Sequence, residues 1–460
     1  MAPEENSLDI LLRSGKSLDE IDMDMKAGVT VADQADAMKT DVHVEKPAVF
    51  DRNGRFLHHV LGDYLLRTAH IGTIDGVLSI YDDGIYRSGD AAFHREIIKL
   101  YPHLNDAKRR EVLRYLRFSP KTPELEVAPP NLIPFKSRVY DIEADTFTDY
   151  RPELVFTCRF PVDYDPAAPS APLIEQLLHS ISRNDGDVLR LICEAAGYCL
   201  YRQNIHRIAL LLLGNGSNGK STLLNLIEQF IGQGNCSNLS LQDLEQRFRV
   251  AELYGKAANL CDDCGSGFIQ DSSILKRVIT GGELVAERKG QDPFTFRPFA
   301  KNIMALNELP TIADRSNGLY SRLVILPLRA DFSQSPDLRL KDRKWSQPEL
   351  NYFCRVAVNG LKHLLDRGDF TRPQCVDEAL TEYKRGNNPV LQFLDQAGDT
   401  IHNQPTAEIY QDYKGWALDG GYKPLSVYQF SREVCRHGYT TEPLYIRTQG
   451  KSVRCFVKSA

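Results

Sequence analysis

The stretch that decides the fold is Arg207–Thr222, RIALLLLGNGSNGKST, in which an apolar run ends at a glycine-rich loop. Ile208 to Leu213 is short, continuous and followed by glycine, a pattern that predicts a strand buried on both faces, as in a parallel sheet. The next segment, LLNLIEQFIG, has apolar residues at helical spacing and stops at Gly232, so it predicts a helix. A strand, a loop and a helix in this order point the helix N-terminus at an anion.

The loop fits G-x-x-x-x-G-K-[ST], a pattern in which glycines let backbone N–H groups close around phosphates. In that pattern the lysine reaches the β and γ phosphates and the hydroxyl ligates magnesium. We therefore predict ATP and Mg²⁺ as cofactors, with Ser221 as a metal ligand; the alternative is a plain glycine turn. The predicted nucleotide contacts are Gly214, Asn215, Gly216, Ser217, Asn218, Gly219, Lys220, Ser221 and Thr222.

Length and composition set outer limits on the function. A chain of 460 residues suggests roughly three domains of about 150 residues. The net charge of −5 gives no overall sign of nucleic-acid binding, so any such surface must be local. The ten cysteines form no disulfide-like pattern, and no signal peptide or membrane-length apolar run is present. These features predict a cytoplasmic protein without a membrane partner.

A second apolar segment, Ala257–Cys261, is predicted to be a buried strand that ends in Asp262 and Asp263. Paired carboxylates beside a phosphate loop suit catalysis, because one acid holds the metal or its waters and the other orients or deprotonates the attacking water. We assign Asp262 to the metal, while the choice of the acid that polarises water stays open. An exposed Asp-Asp turn is the alternative. Cys261 and Cys264 form a CxxC, but without a second CxxC or a His pair we expect no zinc site.

Two later strands each carry a polar residue at one end. KNIMALNELP predicts a third strand with Asn307 at its end, where an amide can sense the γ-phosphate or position water. NGLYSRLVILPL places Arg322 just before another strand, and a guanidinium suits neutralisation of a transferring phosphoryl group. Between the second and third strands, ILKRVITGGELVAERKGQDPFTFRPFA predicts a basic helix and a hairpin whose tip holds Arg288 and Lys289. Each of these three signals is weak alone, so the prediction of a catalytic site rests on their order and spacing along the chain.

The segments before the loop divide by composition. Residues 1–45 are polar and acid-leaning, which predicts a flexible leader. The following part predicts a hairpin around Asp82–Gly84 and a basic helical stretch over 94–118, whose face we interpret as solvated rather than bound to phosphate. PLIEQLLHSIS and DVLRLICEAAGYCL then predict two helices, the second with Asp187 as N-cap.

The C-terminal part is predicted to be a separate unit that opens after the polar linker KRGNN. TAEIYQDYKGWAL, SVYQFSREVCRHG and LYIRTQGKSVRCFVKS predict helix, helix and β-hairpin, the order of a winged helix. From Lys423 onward the unit has seven Lys and Arg against two Glu, an excess of five positive charges that suggests phosphate contact. Arg432 and Arg436, spaced i, i+4, are the predicted DNA contacts on one helical face. A basic protein-binding cap is the alternative.

The ordered motifs resemble those of the superfamily 3 helicases, specifically the phage and plasmid primase-helicase branch that includes the poxvirus helicase-primase. The similar segments are GNGSNGKST as motif A, ANLCDD as motif B, LKRVITGGELVAERKGQDPFTF as motif B-prime, IMALNELP as motif C and Arg322 as the arginine finger. The stretch from about Tyr81 to Leu200 is similar to the region before the ATPase in that branch. This similarity accounts for Asp141 and Glu143, which superficially match a primase metal pair. Only about 80 residues come earlier, too few for a primase domain, so we expect no primer synthesis.

The resemblance implies an α/β fold with a P-loop AAA+-like ATPase core built on a parallel sheet. It implies a mixed α/β domain over 46–170 and the helicase ATPase with flanking helices over 171–388. The order of the C-terminal elements predicts a winged-helix domain over 389–460. It also implies a homo-oligomeric ring, with a hexamer as the expected size, in which Arg322 reaches the ATP of a neighbouring subunit. Arg288 and Lys289 would then project into the central channel and follow one strand's phosphates.

The predicted function is that of an ATP-dependent replicative DNA helicase of a phage, plasmid or integrated element, translocating 3′ to 5′. Single-stranded and forked DNA are the expected partners, with a separate primase or loader as a further candidate. Two alternatives stay open: an ATP-switched DNA-binding initiator without processive unwinding, and a primase-helicase with primase activity.

Overall fold

The computed structural model describes residues 46–288, 293–314, 316–335, 337–340, 342–420, 422, 424–446 and 450–459. Over these residues the fold is mixed α/β, with a five-stranded parallel sheet in its central part. No helix among the described residues is long and apolar enough to cross a membrane. The predicted acidic leader and Lys289 lie outside the described residues.

The part before residue 170 combines helices with two small antiparallel sheets. Its helices are α1 (His58–Thr68), α2 (Asp90–Leu100) and α3 (Asp106–Phe118). Its strands are β1 (Ile71–Ile74), β2 (Val77–Asp82), β3 (Ile85–Ser88), β4 (Leu132–Pro134), β5 (Val139–Asp141) and β6 (Thr146–Thr148). The predicted hairpin around Asp82–Gly84 is confirmed as the β2–β3 turn.

The basic stretch 94–118, predicted as helical throughout, is divided between α2 and α3. The chain turns after Tyr101, where Pro102 has no N–H to continue the helix. Asn105 then caps α3, because its side chain accepts a hydrogen bond from the backbone N–H of Lys108 at 3.0 Å.

The central part contains the parallel sheet and a hairpin. Its helices are α4 (Pro172–Ser182), α5 (Gly186–Tyr198), α6 (Lys220–Ile231), α7 (Arg247–Val250), α8 (Ser273–Thr280), α9 (Asn317–Tyr320), α10 (Gln347–Arg367) and α11 (Gln374–Gly386). Its strands are β7 (Ala209–Leu213), β8 (Cys236–Ser237), β9 (Ala258–Cys264), β10 (Leu284–Ala286), β11 (Phe294–Phe296), β12 (Lys301–Leu306) and β13 (Leu323–Pro327). β10 and β11 pair as the hairpin, and the other five strands form the sheet in the order β13-β7-β12-β9-β8.

The predicted strand, loop and helix around the glycines are confirmed as β7, the loop and α6. β7 is apolar throughout because the sheet has a core on each face. Leu210 and Leu212 pack into one core, whereas Ala209 and Leu211 pack into the other, as the alternation of a strand requires. The predicted apolar face of α6 is buried in the first of these cores.

α5 has a different N-cap from the predicted Asp187. The carboxylate of Asp185 accepts hydrogen bonds from the backbone N–H groups of Asp187 at 2.9 Å and Val188 at 3.2 Å. Asp185 is therefore the cap, and Asp187 lies in the first turn, where its negative charge complements the helix dipole.

The C-terminal part forms helices and a three-stranded antiparallel sheet in the order β14-β16-β15. Its helices are α12 (Pro389–Ala397), α13 (Thr406–Asp419) and α14 (Val427–Arg436). Its strands are β14 (Gln404–Pro405), β15 (Tyr439–Ile446) and β16 (Lys451–Lys458). The predicted order of helix, helix and hairpin is confirmed, and the structure adds β14 as a third strand.

The predicted polar linker KRGNN is packed structure rather than a free connection. Its first three residues end α11. Asn387 and Asn388 are both buried. Hydrogen bonds to their side-chain amides replace the contacts with water that burial removes. Asn387 Nδ2 donates to the backbone oxygen of Ile312 at 2.9 Å, and Asn388 caps α12.

Two glycines set the crossing of α5 and α10. A Cβ added at Gly197 would lie 2.0 Å from the backbone oxygen of Ala357. A Cβ added at Gly360 would lie 2.6 Å from the backbone of Cys193. The two helix backbones can approach this closely only because neither glycine has a side chain.

We expect Gly197→Ala to lower the free energy of unfolding by about 1–3 kcal/mol, because the methyl group must push the two helices apart. Gly415→Ala is the matched control: Gly415 lies within α13, and no atom lies within 4 Å of its Cβ position. This control should gain up to about 1 kcal/mol from helix propensity. Denaturant unfolding followed by circular dichroism measures both changes. An unchanged midpoint for Gly197→Ala would contradict the close approach.

Candidate nucleotide site

The glycine-rich loop lies at the carboxyl edge of the sheet, between β7 and α6. Gly216, Ser217 and Gly219 have φ angles of 99°, 50° and 84°, in the left-handed region that glycine adopts readily. Because α6 begins at Lys220, its first backbone N–H groups have no partner within the helix and lie beside the loop. This local geometry matches the predicted anion-binding loop.

Lys220 is the first residue of α6, directly after the loop, and is only 7% exposed. Its ammonium group donates to the backbone oxygen of Gly214, to Asn218 Oδ1 at 2.9 Å and to Asn307 Oδ1 at 3.2 Å. All three acceptors are oxygen atoms, the kind of acceptor that a phosphate group also offers. The side chain is therefore held by residues that follow two different strands, Gly214 after β7 and Asn307 after β12.

Asp262 and Asp263 were predicted to follow their strand, but the structure places both within β9, at a bulge. Cys261 pairs with Met304, and Cys264 pairs with Leu306, so β9 has one residue more than β12 between these pairs. The extra residue explains the positive φ of Asp263, which is 53°. Both acidic side chains are exposed rather than packed in the sheet.

Asn307 connects the lysine with the acids. It directly follows β12, as predicted, and its Nδ2 donates to Asp263 Oδ1 at 3.2 Å while its Oδ1 accepts from Lys220. Burial lowers the pKa of the Lys220 ammonium, and the carboxylates of Asp262 and Asp263 act in the opposite direction. The structure thus brings together four of the predicted catalytic residues.

The bulge also explains a disulfide that the sequence analysis did not predict. Cys261 and Cys264 are joined by it, with their Cα atoms 6.1 Å apart. Residues three apart on a regular strand point to opposite faces, but the extra residue of the bulge turns both sulfurs into the same core. Among the described residues, no group of three or more His, Cys, Asp or Glu side chains is placed to hold a metal ion.

Arg322 lies at the amino ends of the parallel strands, whereas the loop lies at their carboxyl ends. Leu323, the next residue, pairs with Ala209 at the start of β7, whereas Pro327 pairs with Leu213 beside the loop. At about 3.3 Å per strand residue, the backbone of Arg322 is roughly 15 Å from the loop. An arginine side chain does not span that distance. Its Nε atom is buried and has no hydrogen-bond partner within the described part of the chain.

Of the two predicted hairpin cations, only Arg288 is among the described residues. It follows β10, and its guanidinium lies 5.5 Å from the ring centre of Tyr254 and 4.9 Å from that of Phe294. Cation–π contacts therefore hold Arg288 at the base of the hairpin. A cleft of about 910 Å³ beside it is lined by two further cations, Arg249 and Lys256, and by two acids, Glu252 and Glu287. Arg249 forms an ion pair with Glu252 at 2.9 Å.

The two predicted DNA contacts on α14 are both exposed, but they differ in their partners. The guanidinium of Arg432 lies 5.7 Å from the ring centre of Tyr428, which is itself 73% exposed. Arg436 instead donates to Glu433 Oε2 at 3.1 Å. Sequence reasoning missed Tyr428, although its i, i+4 spacing from Arg432 is visible in the sequence.

Two family models match the chain. Residues 54–183 match the family described as "D5 N terminal like". Residues 212–322, which contain the loop, the acids, Asn307 and Arg322, match a family of unknown function, DUF5906.

Curated relatives come from viruses. The chain is 22% identical over 331 residues to "Putative helicase L207/L206" of Acanthamoeba polyphaga mimivirus, covering 62% of this chain and 33% of that protein. It is 27% identical over 353 residues to "Putative helicase 121R" of Invertebrate iridescent virus 3, covering 67% and 37%. It is 24% identical over 284 residues to "Putative primase C962R" of African swine fever virus, covering 55% and 29%. The chain thus spans about a third of the length of these relatives.

Among solved structures, the apo structure of the NrS-1 C-terminal region aligns with 86% of this chain and 98% of its own length, at 14% identity and a TM-score of 0.49. The D5-type match and the viral relatives, which are named as putative helicases and a putative primase, are the findings that bear on the predicted family. They confirm the resemblance to the phage and viral primase-helicase family that the order of the motifs indicated.

Proposed function

We propose that the chain is an ATP-dependent replicative DNA helicase of a phage, plasmid or integrated mobile element. It would hydrolyse ATP at the subunit interfaces of a ring and translocate 3′ to 5′ on single-stranded DNA. The observation that carries this proposal is the hydrogen-bonded chain from Lys220 through Asn307 to Asp263 beside the glycine-rich loop. A lysine, an amide and a carboxylate in that order suit a γ-phosphate and an attacking water.

The loop would hold the triphosphate through the backbone N–H groups of Gly214–Thr222. Lys220 would exchange its present oxygen acceptors for β and γ phosphate oxygens, which are acceptors of the same kind. Ser221 and Asp262 are both exposed and offer the hard oxygen ligands that Mg²⁺ prefers. When bound, the magnesium ion would neutralise charge on the phosphate oxygens.

The hydrogen bond from Asn307 favours different roles for the two acids. Asp263 is held by Asn307, and therefore close to the atoms that would contact the γ-phosphate, so we assign it to orient or deprotonate water. Asp262 receives the backbone N–H of Asp263 at 3.1 Å and is assigned to the metal. Asn307 would position the water relative to the phosphate.

The position of Arg322 supports the ring. Its own loop is roughly 15 Å away along the sheet, which favours a role for its guanidinium at the ATP of a neighbouring subunit. We propose a homo-oligomeric ring, of six subunits by family resemblance. Its P-loop AAA+-like core would comprise residues 171–388, preceded by the domain at 46–170.

DNA would meet two surfaces. Arg288 and Lys289 are assigned to the central channel by family resemblance, where their positive charges would contact phosphates. Residues 389–460 are assigned as a winged-helix domain that contacts duplex DNA through α14. A separate primase or loader is a further candidate partner.

Unwinding of a forked duplex tests the proposal against its closest alternative. The helicase should displace a labelled strand in an ATP-dependent manner, with release only when a 3′ single-stranded tail is present for loading. ATP-dependent assembly on DNA without strand displacement would instead favour the initiator. Incorporation of nucleotides on a single-stranded template would favour the primase-helicase.

We expect Arg432→Ala to weaken duplex binding and to reduce the slope of log affinity against log salt by about 0.9, the loss of one phosphate contact. Arg436→Ala should have a smaller effect, because Glu433 already balances its charge. Unwinding of a preloaded fork should stay largely intact in both variants. Fluorescence anisotropy with labelled duplex over a salt series measures the slope.

Arg138→Ala is the control for this series, since Arg138 is 65% exposed and far from the C-terminal unit in sequence. It should leave affinity and slope unchanged. If the double variant of Arg432 and Arg436 also kept the wild-type slope, the C-terminal unit would be better explained as a protein-docking cap.

A further inference from the structure

The proposed site defines the direction of the nucleotide across the sheet. Lys220, Asn307 and Asp263 lie on the side of β7 that holds β12 and β9. These groups suit the terminal phosphate. A nucleotide that extends across the loop from these groups would place its base on the side of β7 that holds β13. This step rests on the proposed ATP site.

The segment after β13 runs along the loop on that side. The backbone N–H of Leu328 donates to the oxygen of Leu213 at 2.8 Å, and that of Phe332 donates to the oxygen of Ser217 at 2.8 Å. These two bonds hold residues 328–332 against the loop, one at each end of the segment. The position of Phe332 is thus set by its backbone, independently of its side chain.

The ring of Phe332 lies where the loop becomes α6. A Cβ added at Gly219 would lie 3.3 Å from ring atom Cε2, so the absence of a side chain there lets the ring approach the loop backbone. Ile181, the other neighbour of Gly219, is only 2% exposed and belongs to the core. Phe332 packs against the same core as Ile181 but is partly exposed, so its side chain is not fully enclosed.

Aromatic side chains bind nucleobases by stacking, which contributes roughly 1–3 kcal/mol per base and tolerates different bases, since every base has a π face. A phenylalanine ring has no hydrogen-bond donor or acceptor with which to select one base. The larger ring system of a purine offers more stacking area than that of a pyrimidine.

We propose that Phe332 stacks on the base of the bound nucleotide and forms the base subsite of the loop. The ligand class is the purine nucleoside triphosphates, with ATP and GTP accepted alike at this position. The residue acts on binding: it touches the base and not the reacting phosphate.

Replacement of the ring tests this subsite. Phe332→Ala keeps the backbone N–H that bonds to Ser217 and should weaken binding of ATP and GTP about ten- to hundredfold, as the loss of one stacked base predicts. Binding of inorganic tripolyphosphate, which has no base, should stay at the wild-type level. KM for ATP should rise while kcat changes little. Calorimetry and steady-state hydrolysis measure these quantities.

Phe332→Tyr keeps the ring and should restore ATP binding, and Phe118→Ala, which removes a 72% exposed ring from the end of α3, should leave it unchanged. Equal losses for ATP and tripolyphosphate in Phe332→Ala would overturn the subsite, because the ring would then only support the loop. Unchanged ATP binding would overturn it as well. Failure of the wild-type protein to bind either ligand would instead overturn the proposed ATP site.

Discussion

Lys220→Ala is expected to lower the rate of ATP hydrolysis by roughly 10²- to 10³-fold, the range for loss of one group that stabilises transition-state charge. The ammonium group is nearly buried and already bonded to oxygen atoms of the loop and of Asn307. A methyl group leaves the β and γ phosphates without that charge, so binding of ATP should weaken too. Phosphate release over an ATP series measures the loss.

Asp263→Asn should separate binding from turnover at the same site. The amide keeps the size of the carboxylate but cannot accept the proton of an attacking water, so ATP should bind at near wild-type affinity while hydrolysis stalls. Lys99→Ala is the control for a lost surface lysine, because Lys99 is 67% exposed and lies on α2. Losses of only two- or threefold for both site variants would contradict the assignment of the site.

The core of this site could be predicted from the sequence because its signals are local. β7, the loop and α6 are consecutive, and each is defined by residues within a few positions of one another. Asn307 and Arg322 were also placed correctly at the ends of their strands. In these two strands the change between apolar and polar residues coincides with the end of the strand, so the local sequence was enough to place it.

Features that depend on pairing between distant segments could not be predicted in this way. The bulge at Asp262 and Asp263 exists only relative to β12, so the sequence of β9 alone predicts a strand that stops too early. The disulfide between the flanking cysteines follows from the same bulge. Both differences lie beside the proposed catalytic groups, where bulges commonly re-aim side chains.

Buried polar residues are a second limit of sequence reasoning. Lys301 begins β12 and would ordinarily be placed at the surface, yet it is only 5% exposed. Its ammonium donates to Asn204 Oδ1 at 2.7 Å and to the backbone oxygens of Gln203 and Phe299, acceptors supplied by two separate loops. Burial lowers the pKa of this ammonium to about 7. Periodicity does not report such partners, because they depend on the packed fold.

Arg322→Ala is expected to lower ATP hydrolysis by the assembled protein roughly a thousandfold or more, the lower end of the range for an arginine finger. Binding of ATP should remain, because Arg322 lies at the amino ends of the strands, remote from its own loop at their carboxyl ends. We propose that this residue serves a neighbouring subunit's site, because the sheet register places its backbone roughly 15 Å from its own loop. A variant with normal ATP binding and lost turnover fits that assignment but does not by itself separate action in trans from action in cis.

Mixing two inactive variants separates these cases. In a ring that contains Arg322→Ala and Lys220→Ala subunits, an interface is complete when the first supplies the loop with Lys220 and the second supplies Arg322. Random equal mixing makes about a quarter of the interfaces complete, so hydrolysis should recover toward a quarter of the wild-type rate if the interfaces act independently. Mixing Lys220→Ala subunits with subunits that carry both Lys220→Ala and Arg322→Ala should restore nothing, since no subunit then has an intact loop. If the first mixture were as inactive as its parts, although both variants assembled, Arg322 would have to act within its own subunit or have no catalytic role. The roughly 15 Å between Arg322 and its own loop argues against action in cis.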